Sequence, residues 1–125
     1  MKNPLVYLAV PYTHKDRAIE EYRFIQANKK AGELMNKGEV VYSPITHCHP
    51  IHLMCDMPGD WKFWEHIDRT YLELCHKMYV LKLEGWNESN GVKAEVRIAK
   101  ELKIPIVYLD DAKKIPLTKK DVIGI

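Results

Sequence analysis

Six consecutive apolar residues, Leu5-Val6-Tyr7-Leu8-Ala9-Val10, include β-branched and aromatic members and leave no polar face. Such a run reads as a strand buried on both sides, the arrangement of a parallel sheet covered by helices on each face. A sheet with one wet face would alternate apolar and polar residues instead. The rest of the chain keeps the pattern that this strand demands. Thr13-His14-Lys15-Asp16 offers a capping box, with a hydroxyl followed three residues later by a carboxylate. A helix is expected from there to about Lys37, with Ala27, Ala31, Leu34 and Met35 at helical spacing and Gly38 as its stop. Val40 to Tyr42 reads as a second strand.

Ser43 to Gly59 holds three prolines and three histidines with little periodicity, and it is long for a plain connection. It reads as a functional loop or lid. Asp60 is the expected cap of a second helix carrying Trp64, Ile67, Tyr71, Leu74 and Cys75 on one arc. Met78 to Leu83 is the third strand, Gly91 to Leu102 the third helix and Ile104 to Leu109 the fourth strand. Alternating strands and helices at this spacing mean an α/β protein with a parallel sheet. Ligands of such sheets bind beyond the carboxyl ends of the strands. That rule gathers three segments: Pro11 to Asp16, Ser43 to Asp60 and Glu84 to Gly91.

Length sets the domain number. A chain of 125 residues is one ordinary domain, here a core of about 5–110 and a Lys-rich tail, 111–125. With 46% hydrophobic and 29% charged residues, it has the composition of a globular protein rather than a disordered one. Nineteen Lys and Arg against 17 Asp and Glu give a formal charge of +2. That balance supplies no electrostatic footprint for a nucleic acid polymer or a membrane surface. Three cysteines without a secretory leader fit a reducing, cytoplasmic setting.

The sharpest chemical feature is on the third helix. At 100° per residue, Val92, Val96, Ala99 and Leu102 share an arc, and Glu95 falls inside it. A carboxylate on a packed face, in the first turn after a Ser-Asn-Gly loop, calls for a partner or a task. The helix N-terminus favours an anion there; the plainer alternative is a Glu that caps its own helix end. Asp68 lies beside Trp64, Tyr71 and Cys75 at the edge of its apolar arc. Aromatic surroundings would raise its pKa toward that of a general acid, whereas a boundary Asp would pair with Arg69 or a Lys. Two carboxylates aimed at one cleft suit glycosidic chemistry, in which one attacks the anomeric carbon and the other protonates the leaving group. Ser89-Asn90-Gly91, opening the helix, make either a simple cap or a small anion cradle.

His47, Cys48, His49, His52 and Cys55 crowd one segment. No pair of C-x-x-C units exists, and their spacing matches no zinc module. His47-Cys48-His49-Pro50 therefore reads as a segment that caps loops, packs or touches a ligand, and no metal or cofactor is implied. Trp61, Phe63, Trp64 and Tyr71 read as core or pocket wall.

These residues resemble a known family. Tyr7-Leu8-Ala9-Val10-Pro11-Tyr12 is similar to the first strand and loop of the nucleoside 2-deoxyribosyltransferase superfamily. Ser89-x-Gly91-x-x-x-Glu95, followed by Ala99 and Ile104-Pro105-Ile106, resembles its signature. Asp68 with Leu72 matches its Asp before the third strand. Ser43-Pro44-Ile45-Thr46-His47 and Gly85-Trp86-Asn87-Glu88-Ser89 are similar to motifs of a small subgroup known only as a domain of unknown function. The resemblance covers residues 5 to 110. It implies a Rossmann-like or flavodoxin-like parallel sheet of about four to five strands with flanking helices. It also implies N-glycosidase or 2-deoxyribosyltransferase activity on a nucleoside or nucleoside 5′-monophosphate, without a cofactor, in a homodimer or higher assembly. By motif position, Glu95 is the nucleophile that forms a glycosyl-enzyme intermediate and Asp68 the acid that assists base departure. Tyr7 orients the Glu or the sugar. Ser89 holds a 5′-phosphate, as in the monophosphate N-glycosidase branch, or a sugar hydroxyl. Asn90, Gly91, Pro11, Tyr12, His47 and Trp64 complete the expected substrate site. Glu88 places a negative charge beside the cradle, which disfavours a strongly anionic ligand.

Two rival readings differ in class. One is a non-catalytic nucleotide-binding sensor or sequestering module on the same fold, for which a retained nucleophile has no use. The other is a metal-dependent hydrolase built on the histidine segment.

Overall fold

The computed structural model describes residues 3–58 and 60–110. The expectations for Gly59 and for the tail from residue 111 lie outside the described residues. Four strands, β1 (Leu5–Ala9), β2 (Val40–Tyr42), β3 (Lys77–Lys82) and β4 (Ile106–Asp110), form one parallel sheet in the order β2-β1-β3-β4. β1 is central, and Val6 to Ala9 are sealed on both faces. Alternate residues feed different cores. Val6, Leu8 and Val10 pack with Ala27, Ala31 and Leu34 of α1 (Arg17–Asn36). Tyr7 and Ala9 pack with Leu72 of α3 (Trp61–Glu73) and Val92, Ile98 and Ala99 of α4 (Asn90–Glu101). The doubly covered strand read from the sequence is therefore the spine of an α/β, Rossmann-like or flavodoxin-like fold. The strand order reverses at β1, so the switch point lies between the carboxyl ends of β1 and β3. No helix among the described residues is long and apolar enough to cross a membrane.

Four local expectations are corrected. Ser43 to Gly59 is not a loop throughout, because Pro44–Met54 form a helix, α2. Ser43 is its N-cap and Pro44 opens it, a position where proline's fixed φ and missing N–H cost nothing. Pro50 sits inside and forfeits one helical hydrogen bond, which a short helix packed against α1 tolerates. The cap of α1 is Asp16, whose carboxylate accepts from the Ala18 N–H at 2.9 Å, rather than Thr13. Leu74 leaves the expected arc and is exposed, since α3 ends at Glu73 and the helical period ends with it; Leu72 fills the core instead. Finally, Glu95 is the sixth residue of α4, beyond the first turn. The helix dipole, which decays within that turn, gives it little support.

Candidate active site

The packed face of α4 carries Glu95 to the switch point, only 5% exposed. Below it stands Tyr7, wholly buried on β1, because the strand pleat turns alternate side chains toward α3 and α4. The Tyr7 hydroxyl donates to Glu95 Oε2 at 2.5 Å. Asp68 reaches the same spot from α3 and is 8% exposed. Helical spacing aligns it with Trp64 and Leu72 at i−4 and i+4. Neither carboxyl has an ion-pair partner among the described residues.

Burial without a cation dictates the electrostatics. Loss of water pushes the Glu95 carboxyl well above the usual range, the Asp68 charge adds to this, and the Tyr7 hydrogen bond pulls it back. Burial likewise pushes Asp68 up to about 7, opposed by Tyr7. Two such carboxyls share protons as a pair. The Tyr7 hydrogen bond favours the charged form of Glu95 and fixes the orientation of that carboxyl beside a second buried acid.

Both acids open into a cavity of about 560 Å³. Its polar lip is Glu88, Ser89, Asn90 and Gly91, at the start of α4. Ser89 Oγ accepts from the Val92 N–H at 3.2 Å, so this serine caps the helix and lines the cavity at once. The apolar wall is Pro44 and Ile45 of α2 with Trp61 and Trp64 of α3. Tyr12 and His49 close the opposite end. Pro11, expected in the substrate site, is buried and does not line the cavity. His47, in contrast, turns out of the cavity. It packs against Tyr42 and Tyr71, whose rings stack with centroids 4.0 Å apart.

Three features go beyond the sequence expectations: the partners of His49, the burial of Arg23 and the conformation of Gly85. His49 is buried, donating or accepting through Nε2 with Glu21 Oε2 at 2.8 Å and through Nδ1 with the Tyr12 hydroxyl at 2.5 Å. Arg23 is also buried and donates to the carbonyls of Tyr12, Thr13 and Glu84, tying together the loops that follow β1 and β3. Its place at i−4 and i−8 from Ala27 and Ala31 was the available signal. Gly85 completes that clamp: its φ is +86°, and a Cβ there would lie 2.8 Å from Arg23 Nη2. Gly85→Ala is therefore expected to cost about 1–2 kcal/mol, read as a lower urea midpoint with an unchanged slope. Among the described residues no three His, Cys, Asp or Glu side chains form a group able to hold a metal ion.

The fold and site define a class: a parallel α/β domain with paired, cation-free carboxyls at its switch point. Residues 4–111 match the family described as a domain of unknown function, DUF1937, and the chain belongs to that family. Among solved structures it is similar to a 2-deoxyribosyltransferase from the psychrotolerant bacterium Bacillus psychrosaccharolyticus. The two are 15% identical, with a TM-score of 0.60 over 90% of this chain and 77% of that one. At that identity the likeness shows a shared fold. No curated protein matches the sequence.

Proposed function

We propose that this protein cleaves the N-glycosidic bond of a nucleoside by double displacement through Glu95. The observation that carries the reading is the buried triad: Tyr7 donating to Glu95, with Asp68 facing them and both acids opening into one cavity. A Glu95 oxygen attacks the anomeric carbon as the bond to the base nitrogen breaks. The Asp68 proton passes to the departing nitrogen. Water or a second base then displaces Glu95, and Asp68 takes the proton of the incoming group. Water gives hydrolysis and a base gives transfer. The fold shared with a 2-deoxyribosyltransferase is compatible with this reading.

Charge narrows the substrate. Among the described residues the cavity wall includes Glu20, Asp68, Glu88 and Glu95 and no Lys or Arg. A 5′-phosphate would enter that field unpaired. An uncharged nucleoside suits it better, with Ser89 and Asn90 holding sugar hydroxyls and a second copy of the chain free to complete the site. The test is to incubate the protein with 2′-deoxynucleosides, ribonucleosides and their 5′-monophosphates, and to measure free base by chromatography. Base release is expected from nucleosides, at least tenfold faster than from monophosphates. Absence of release across the panel would remove the proposal.

Tyr7 has a separable role. Tyr7→Phe removes the donor that favours charge on Glu95, a bond of the charge-assisted kind, and should lower kcat about 10- to 100-fold with little change in KM. Steady-state rates of base release at pH 6 check this.

A further inference from the structure

The far end of the cavity holds a hydrogen-bond chain that the proposed mechanism does not use. Glu21 of α1, His49 of α2 and Tyr12 of the loop after β1 are joined in series, at 2.8 Å and 2.5 Å. The chain is held stiffly. His49 is buried, its ring lies 4.3 Å from that of Phe24, and Tyr12 meets it edge-on. Tyr12 and His49 line both the main cavity and an adjoining one of about 550 Å³ that Glu21 also lines.

The series fixes a direction. A carboxylate only accepts, so His49 Nε2 carries its proton toward Glu21. With Nε2 as the donor, the Nδ1 lone pair of an uncharged ring is the acceptor that faces the Tyr12 hydroxyl, and the base subsite proposed below rests on that arrangement. Burial and the charges of Glu20 and Glu21 push the Tyr12 hydroxyl up to about 12, which keeps it protonated. The oxygen is then left with lone pairs and no free donor. Tyr12 therefore offers the cavity an acceptor, and a ligand satisfies it by presenting an N–H group.

Resting on the glycosidic reading, we propose that Tyr12, set by the Glu21–His49 pair, is the specificity-determining residue of the base subsite, and that it selects a base bearing an exocyclic amino group. The division of the cavity supports the placement. The hydroxyl-bearing sugar belongs at the Ser89–Asn90 lip, and the flat base belongs between the apolar wall of Trp61, Trp64 and Ile45 and the Tyr12 end. Tyr12 acts on binding and orientation of the base rather than on the reacting carbon.

The experiment compares nucleosides that differ only by the amino group: 2′-deoxyadenosine against purine 2′-deoxyriboside, and 2′-deoxycytidine against its 4-des-amino analogue. Both kcat/KM for base release and Kd by calorimetry are measured. The wild type should favour at least one amino partner about tenfold by either readout, because an unmatched acceptor is left buried when the donor is missing. Tyr12→Phe should shrink the ratio to within about threefold. Glu21→Gln, which offers His49 an amide donor and frees the opposite tautomer, should also shrink it, with melting temperatures confirming that both variants fold. Equal handling of both partners by the wild type, or a ratio that survives Tyr12→Phe, overturns the proposal. A binding preference lost in Tyr12→Phe without any base release upholds the subsite and removes the glycosidic reading alone. Failure of all four nucleosides to bind overturns the subsite and leaves the glycosidic reading to the wider panel of nucleosides and monophosphates.

Discussion

Glu95→Gln is expected to lower base release by about 10⁴-fold or more while leaving the protein folded. Gln keeps the volume and an oxygen that can accept from Tyr7, so the bond seen at 2.5 Å survives in form. What disappears is the nucleophile, and nothing else in the cavity can substitute, because Asp68 is committed as the acid and its charge would arrive without a proton donor opposite it. Losses of this size are typical when the group that forms the covalent intermediate is removed. Replacing a carboxyl that burial already pushes toward neutrality also removes an unfavourable charge, so the melting temperature should hold or rise. A second measurement separates this role from mere packing. Acid quenching of the wild type during turnover should give a fraction of molecules heavier by one sugar, mapped to the peptide containing Glu95. The variant should give none. Turnover retained within tenfold in Glu95→Gln would sink the double displacement.

Much of the scaffold was legible because it rests on periodicity. A six-residue apolar run with β-branched and aromatic members reads as a doubly covered strand, and β1 is that strand, sealed from Val6 to Ala9. Glu95 was legible for the same reason. Its 100° position among Val92, Ala99 and Leu102 placed an acid on a buried face, and it is buried there. The sequence also made the Ser89 cap readable, since a hydroxyl three residues before a free N–H has an obvious partner. α2 was hidden by its prolines. Composition argued for a loop, although Ser43-Pro44 is an ordinary helix start and only Pro50 is out of place. With the helix missed, the sides of its histidines were missed too. Three turns of helix put His49 against α1 and His47 against Tyr42 and Tyr71, a separation that a loop cannot express. Contacts between elements distant in sequence, such as Glu21 with His49 or Arg23 with Glu84, leave no local trace. A long-range pairing becomes visible only once the sheet order is known.

Asp68→Asn should separate activity from stability, in opposite directions. Asn fills the same space and keeps an acceptor but carries no transferable proton. Base release should fall about 10²- to 10⁴-fold, the usual contribution of a positioned general acid. The loss should be much smaller for a leaving group that departs without protonation, such as p-nitrophenolate from its 2-deoxyriboside. A purely structural role for Asp68 predicts equal losses for both substrates. In the wild type, kcat/KM should decline above pH 7 as the Asp68 proton is lost, and the variant should lack that limb. The stability effect follows from the same shift. Asp68 rises from an ordinary 3.8 to about 7 on folding, so between those values the folded protein holds a proton that the unfolded chain has released. Its contribution is complete below pH 4 and is lost as pH climbs through 7. One pKa unit is worth about 1.4 kcal/mol, so the wild type should lose roughly 2–3 kcal/mol between pH 5 and pH 8. At pH 8, Asp68→Asn should recover most of that, raising the melting temperature by roughly 10 °C. At pH 5 the two proteins should melt within a few degrees of each other. Equal melting of the two at pH 8 would mean that water reaches Asp68 freely, and its assignment as a proton donor near neutral pH would fall with it.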